Sequence, residues 1–171
     1  MSSLALFGIS VALSFTAWGA VASYYLWPAL RQRSAEEALK AILLLHGFRF
    51  VGLAFAIPGV VSAELPAAFA LPAAYGDLAA AVLALAAFGA LRTRAGTALT
   101  WVFNIFGAAD LLLAFYQGSR TGLADTPGLL GSCYFLVTAA VPLLLITHGL
   151  AIRILLQSRV PAPAQAKFSA A

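Results

Sequence analysis

Five apolar blocks, each about 20 residues or longer, most narrow what this chain can become, since at about 1.5 Å per residue each can cross roughly 30 Å of hydrocarbon. They run over residues 4–30, 38–61, 70–91, 97–117 and 129–152, with short connecting segments between them. A soluble core does not account for them: charged residues are 9% of the chain and hydrophobic ones 63%, at a mean hydropathy of +0.95, whereas soluble domains carry about 25% charged residues. The expected fold is therefore all-α, a polytopic bundle of five transmembrane helices over residues 1–157. The Pro- and Ala-containing stretch 158–171 is expected to be a disordered cytoplasmic tail.

The basic residues set an orientation. Arg31, Arg33, Lys40, Arg92, Arg94, Arg153, Arg159 and Lys167 fall on one side of the predicted spans, Arg120 alone falls on the other, and Arg49 lies within a span. By the positive-inside rule the amino terminus is outside and the carboxyl terminus cytoplasmic, in a bacterial-type inner (plasma) membrane. The formal charge of +4 comes in scattered pairs rather than in a patch, which argues against nucleic-acid binding. Ala20-Val-Ala22 fits a small-residue cleavage pattern, but no Lys or Arg precedes it, so the first block is taken as an uncleaved helix. Cys133, the single cysteine, is read as a buried, inert thiol.

Local signals place the boundaries. Ser34 with Glu37 fits a capping box opening the second helix, and Pro58-Gly59 closes it. Pro66 and Pro72 disfavour one regular helix through both, so the third span should begin near Pro72 after an interfacial turn, or start with a kink. Pro142 should kink the fifth. Tyr24, Tyr25 and Trp27 read as an interfacial aromatic belt.

The chemistry lies inside the blocks. His46 and Arg49 stand three residues apart in an otherwise apolar run, and Asp77, Asn104, Asp110 and His148 are the other buried candidates. An arginine at a helix centre costs about 2.5–3.5 kcal/mol on insertion scales. Twelve Leu, Ile, Phe and Val residues between positions 41 and 61 contribute about 4–7 kcal/mol at most, so the helix can insert. Arg49 still needs a carboxylate, carbonyls or water. Counting from the cytoplasmic ends puts Arg49 about 12 Å deep, Asp77 and Asp110 about 20 Å, Asn104 about 10 Å and the histidines about 6–8 Å. An extended arginine can reach Asp77 or Asp110, with Asn104, His46 and His148 forming a second layer. Asn104 and Asp110 lie about 120° apart around their helix, so both are interior only if that helix is surrounded. Gly47, Gly52, Gly76 and Gly107 flank these positions and permit close helix approach.

Three readings stay open. One Arg against two Asp leaves a net charge of minus one in the interior, as a proton- or cation-coupled carrier of a small ion or solute requires, with Arg49, Asp77, Asn104, Asp110 and His46 as the ligand- or ion-binding set. Alternatively the same groups are a structural clamp in a non-catalytic membrane subunit or assembly partner. His46 and His148 could also ligate a metal or the iron of haem b, although no Cys-x-x-Cys-His or His-Glu-x-x-His accompanies them. No nucleophile stands beside a base, so no catalytic residue is assigned. Partners would be the lipid bilayer and other membrane subunits or a second copy of the chain. The segments Arg49-Val-x-Gly52, Leu65-Pro through Asp77 and Asn104-x-x-Gly-x-x-Asp-Leu111 resemble a group of small bacterial multi-pass membrane proteins across spans two to four, a resemblance that implies no function.

Overall fold

The computed structural model describes residues 1–158, and the regular elements in them are all helical. Five helices are long and apolar enough to cross a membrane: α1 (Ser3–Leu30), α2 (Ala35–Ala56), α3 (Ala67–Ala90), α4 (Gly96–Arg120) and α5 (Leu136–Gln157). Their outer faces carry Leu13, Val82, Ile105 and Leu112, all exposed. A helix that is hydrophobic all round belongs in a large core or in lipid. Of the tail expected at 158–171 only Ser158 is among the described residues; Arg159 and Lys167 lie outside them.

Prolines shape two of the helices in the same way. A five-residue π turn at Ala22–Leu26 comes two residues before Pro28 in α1, and another at Leu136–Ala140 comes two residues before Pro142 in α5. Proline has no N–H for the residue four back, and a single widened turn absorbs the lost bond, so both helices continue. Pro72 differs from the expectation of a span beginning there. Helix α3 starts at Ala67, capped by Pro66, and runs through Pro72 at its sixth position. There only the carbonyl of Ala68 loses its donor, still within the first two turns. The fifth span starts at 136 rather than 129, because Gly131 (φ 53°) breaks the helical path inside the 3₁₀ segment Pro127–Cys133 that precedes α5.

Helix α2 changes type midway. It is α-helical over Ala35–Gly47 and then a nine-residue 3₁₀ helix over Phe48–Ala56, ending five residues before the predicted boundary at 61, where Pro58 and Gly59 (φ 86°) turn the chain. At about 1.5 and 2.0 Å per residue the two parts span about 37 Å, so the shorter helix is still long enough to cross a membrane. With three residues per turn, Arg49, Gly52 and Phe55 eclipse one another, and these are the three buried residues of the segment.

Helix α4 packs between α3 and α5, α3 packs against α2, and α2 also touches α5. Helix α1 stands aside. It packs mainly on α5 and the turns before it, buries no residue over Ser3–Val21, and is tied by Trp18 Nε1 donating to the Ala139 carbonyl (3.0 Å) and Tyr134 OH donating to Ser10 Oγ (2.9 Å).

Two apolar clusters fill the bundle. One contains Leu39, Leu43, Ala84, Phe103 and Leu155; the other contains Phe55, Phe69, Ala73 and Leu130. Contacts gather the basic residues of the first end. Ser34 caps α2 by accepting from Glu37 N (3.2 Å), Arg92 pairs with Glu36 (2.9 Å), Lys40 pairs with Glu36 and Glu37 (3.1 and 2.5 Å), and the Arg153 guanidinium sits 3.8 Å from the Trp27 ring centre. Arg120 closes α4 at the opposite end.

Candidate functional site

Between the two apolar clusters lies a layer built around Arg49, which is 2% exposed. Its Nε donates to Asp77 Oδ1 of α3 at 2.8 Å and its Nη2 to Asp110 Oδ2 of α4 at 2.6 Å. Nη1 donates to the Gly107 carbonyl at 3.0 Å and faces His148 Nε2 at 3.4 Å. The sequence suggested one carboxylate or the other as partner; in the structure the guanidinium holds both, which its forked set of five N–H groups permits.

Each contact depends on a missing Cβ. A Cβ at Gly52 would collide with the Asp77 carboxylate and one at Gly76 with that of Asp110, while one at Gly107 would come within 2.8 Å of Arg49 Nη1 and His148 Nε2. The short aspartates reach the guanidinium because backbone lies where side chains would otherwise stand.

The second layer follows in register. His148 Nδ1 lies 2.8 Å from Asn104 Oδ1, and because a guanidinium can only donate, His148 Nε2 is the acceptor and Nδ1 carries the proton given to Asn104. Thr147 hydroxyl donates to the Leu143 or Leu144 carbonyl (3.0 and 2.9 Å) and accepts from His46 Nε2 at 3.0 Å, so His46 is protonated at Nε2. His148, accepting at Nε2, is therefore neutral, and Arg49 (+1) with ionised Asp77 and Asp110 (−2) gives a charge of −1. His46 Nδ1 and Asn104 Nδ2 are buried without a hydrogen-bond partner. Thus Asn104 faces α5 while Asp110 faces α2 and α3, and α4 is surrounded enough for both.

The histidine rings sit 4.2 Å apart between centroids, each also against Phe103 (5.0 and 5.1 Å). One nitrogen of each ring already has a protein partner, His46 Nε2 at Thr147 and His148 Nε2 at Arg49. Among the described residues no three His, Cys, Asp or Glu side chains are grouped to hold a metal ion.

A cavity of about 330 Å³ reaches this layer from the Arg120 end. Asp77 and Asp110 lie at its inner end, 17% and 12% exposed at their side chains. Phe7, Phe55, Phe69 and Phe115 contribute its walls, and Ser119 and Asp125 its mouth. It exists because α1 leans on α5 and leaves a gap toward α3 and α4. No sequence signal pointed to Phe7, Phe115 or Asp125, since their relevance depends on where α1 and the 118–125 turn settle.

The fold and the site define a class: a five-helix bundle of membrane-spanning length and composition with a buried Arg–Asp–Asp centre. The chain belongs to the family described as a domain of unknown function, DUF8737, whose model matches residues 6–156. No curated protein and no solved structure matches the chain.

Proposed function

We propose that this is an integral membrane protein that moves or relays a small ion or solute, coupled to a proton or cation, at the Asp77–Arg49–Asp110 centre. The observation that supports it most is the cavity, which leads to two carboxylates that share a single arginine. An uncompensated carboxylate in a low-dielectric interior is costly. A proton or another cation offsets it, and the cavity is the route by which that charge arrives. On the Arg31 to Arg94 side, Arg49, the His148–Asn104 pair and the His46–Thr147 pair close the layer. With the basic end cytoplasmic, the cavity faces outward, and a bacterial-type inner membrane is the setting we assign.

A second reading is supported by the glycines. Gly52, Gly76 and Gly107 fit so closely around the charged groups that the centre would also serve to select which helices pack together, as the clamp of a non-catalytic subunit or assembly partner.

Water decides between them. In a Cys133→Ser background, Ala73→Cys should react with a membrane-impermeant thiol reagent added at the outer face, because Ala73 lines the cavity. Liposomes carrying the protein and a trapped pH-sensitive dye should admit protons faster than protein-free ones, and Asp110→Asn should remove the difference. An unreactive Ala73→Cys together with no excess proton entry would leave the clamp as the function of the centre.

A further inference from the structure

We propose that the cavity binds a monovalent organic cation with an apolar body, an alkyl- or arylammonium, whose charged head sits at Asp110 and Asp77. This rests on the preceding reading that the cavity admits a solute, and it names the class of that solute.

Charge gives the first argument. Asp77, Asp110 and Asp125 line the cavity, and no Lys, Arg or His is among its lining residues. Arg49 takes one oxygen from each inner carboxylate, Asp77 Oδ1 and Asp110 Oδ2, so one positive charge is spread over two negative ones. An anion entering here would meet a net negative inner wall, since Arg49 offsets only one of its two carboxylates, and the mouth carries the exposed Asp125.

The walls give the second. Apart from the carboxylates and Ser119 the lining is almost entirely hydrocarbon, with four phenyl rings. A hard metal cation wants about six or more oxygen ligands, and this cavity offers few. A polyhydroxylated solute would leave its hydroxyls unpaired against the walls, at a cost of roughly 1–3 kcal/mol each. An ammonium group on an apolar body fits both halves, since aromatic faces attract it and carboxylates fix its head. The volume of about 330 Å³ is at the small end of ligand sites, about 300–1,000 Å³, which suits one ring or a short alkyl chain beside the head.

The test uses the full-length chain with Cys133→Ser and Ala114→Cys, a position that lines the cavity. Labelling rates of trimethylammonium-ethyl and sulfonato-ethyl methanethiosulfonate are each divided by that reagent's rate with a small free thiol. The cationic reagent should be favoured by about tenfold or more, as expected of a cleft whose lining charges are all negative. Asp110→Asn should bring the ratio down to about twofold, the share left by Asp125, and Asp125→Asn, outside the Arg49 centre, should lower it by about twofold. Benzyltrimethylammonium should slow labelling, whereas neopentylbenzene, its uncharged isostere, should not. Equal normalised rates, or equal protection by the isostere, would overturn the ligand class while leaving an accessible cavity. Absence of labelling by either reagent, with an exposed Ser119→Cys control reacting normally, would remove the solute reading itself.

Discussion

Arg49 makes four hydrogen bonds from its five N–H groups, two of them to carboxylates on different helices. The consequences of removing it therefore differ from those of removing either aspartate. Arg49→Leu strands two buried carboxylates, and breaking a buried pair from one side costs about 3–5 kcal/mol. Asp77→Leu or Asp110→Leu leaves the guanidinium one carboxylate and a balanced charge, so each single change should cost less. Arg49→Leu with either aspartate replaced still leaves one carboxylate alone; only the triple replacement with Leu removes every stranded charge. Thermal unfolding in detergent should rank Arg49→Leu as the least stable variant, the two doubles as intermediate and the triple as largely recovered. An Arg49→Leu protein as stable as the wild type would mean that the centre contributes nothing to holding the helices.

At the scale of elements, the glycines of α3 provide a matched pair. Replacing a helical Gly by Ala gains up to about 1 kcal/mol in propensity, and Gly89 has open space around its missing Cβ, so Gly89→Ala should be neutral or stabilising. At Gly76 the same change drives a methyl into the Asp110 carboxylate. Overpacking costs about 1–3 kcal/mol, so Gly76→Ala should lower the unfolding temperature despite the same propensity gain. Equal behaviour of the two variants in the same melt would mean that α3 and α4 do not approach as described. Gly76, with Gly52 and Gly107, was visible in the sequence as a neighbour of the polar residues, and so were the five spans, the Ser34 cap and the set of polar side chains. Residue spacing along one helix carried that much. The switch of α2 to 3₁₀ geometry was not legible, because an apolar run looks alike at 3.0 and 3.6 residues per turn unless the spacing Arg49, Gly52, Phe55 is read as the buried line. Nor was the pairing of Arg49 with both aspartates, which depends on how three helices meet.

For the whole molecule, orientation is the property open to direct measurement. Contacts place Lys40, Arg92 and Arg153 near the Glu36 and Trp27 end, and Arg120 at the other. Reporter fusions after Arg94 should read as cytoplasmic, and one after Gly122 as external. A cytoplasmic signal from Gly122 would invert the cavity. The position of α1 matters on another axis, that of time during synthesis. Trp18 finds its carbonyl partner at Ala139, 121 residues further on, and at about 5–20 residues per second that partner emerges roughly 6–24 s later. Over Ser3–Leu30 there is no Asp, Glu, Lys or Arg, so α1 carries no charge that needs a partner in the meantime. Arg49 has a shorter wait, with Asp77 only 28 residues behind it, and the order of the chain thus delivers a neutralising carboxylate to the charged helix long before it delivers the uncharged helix its neighbour.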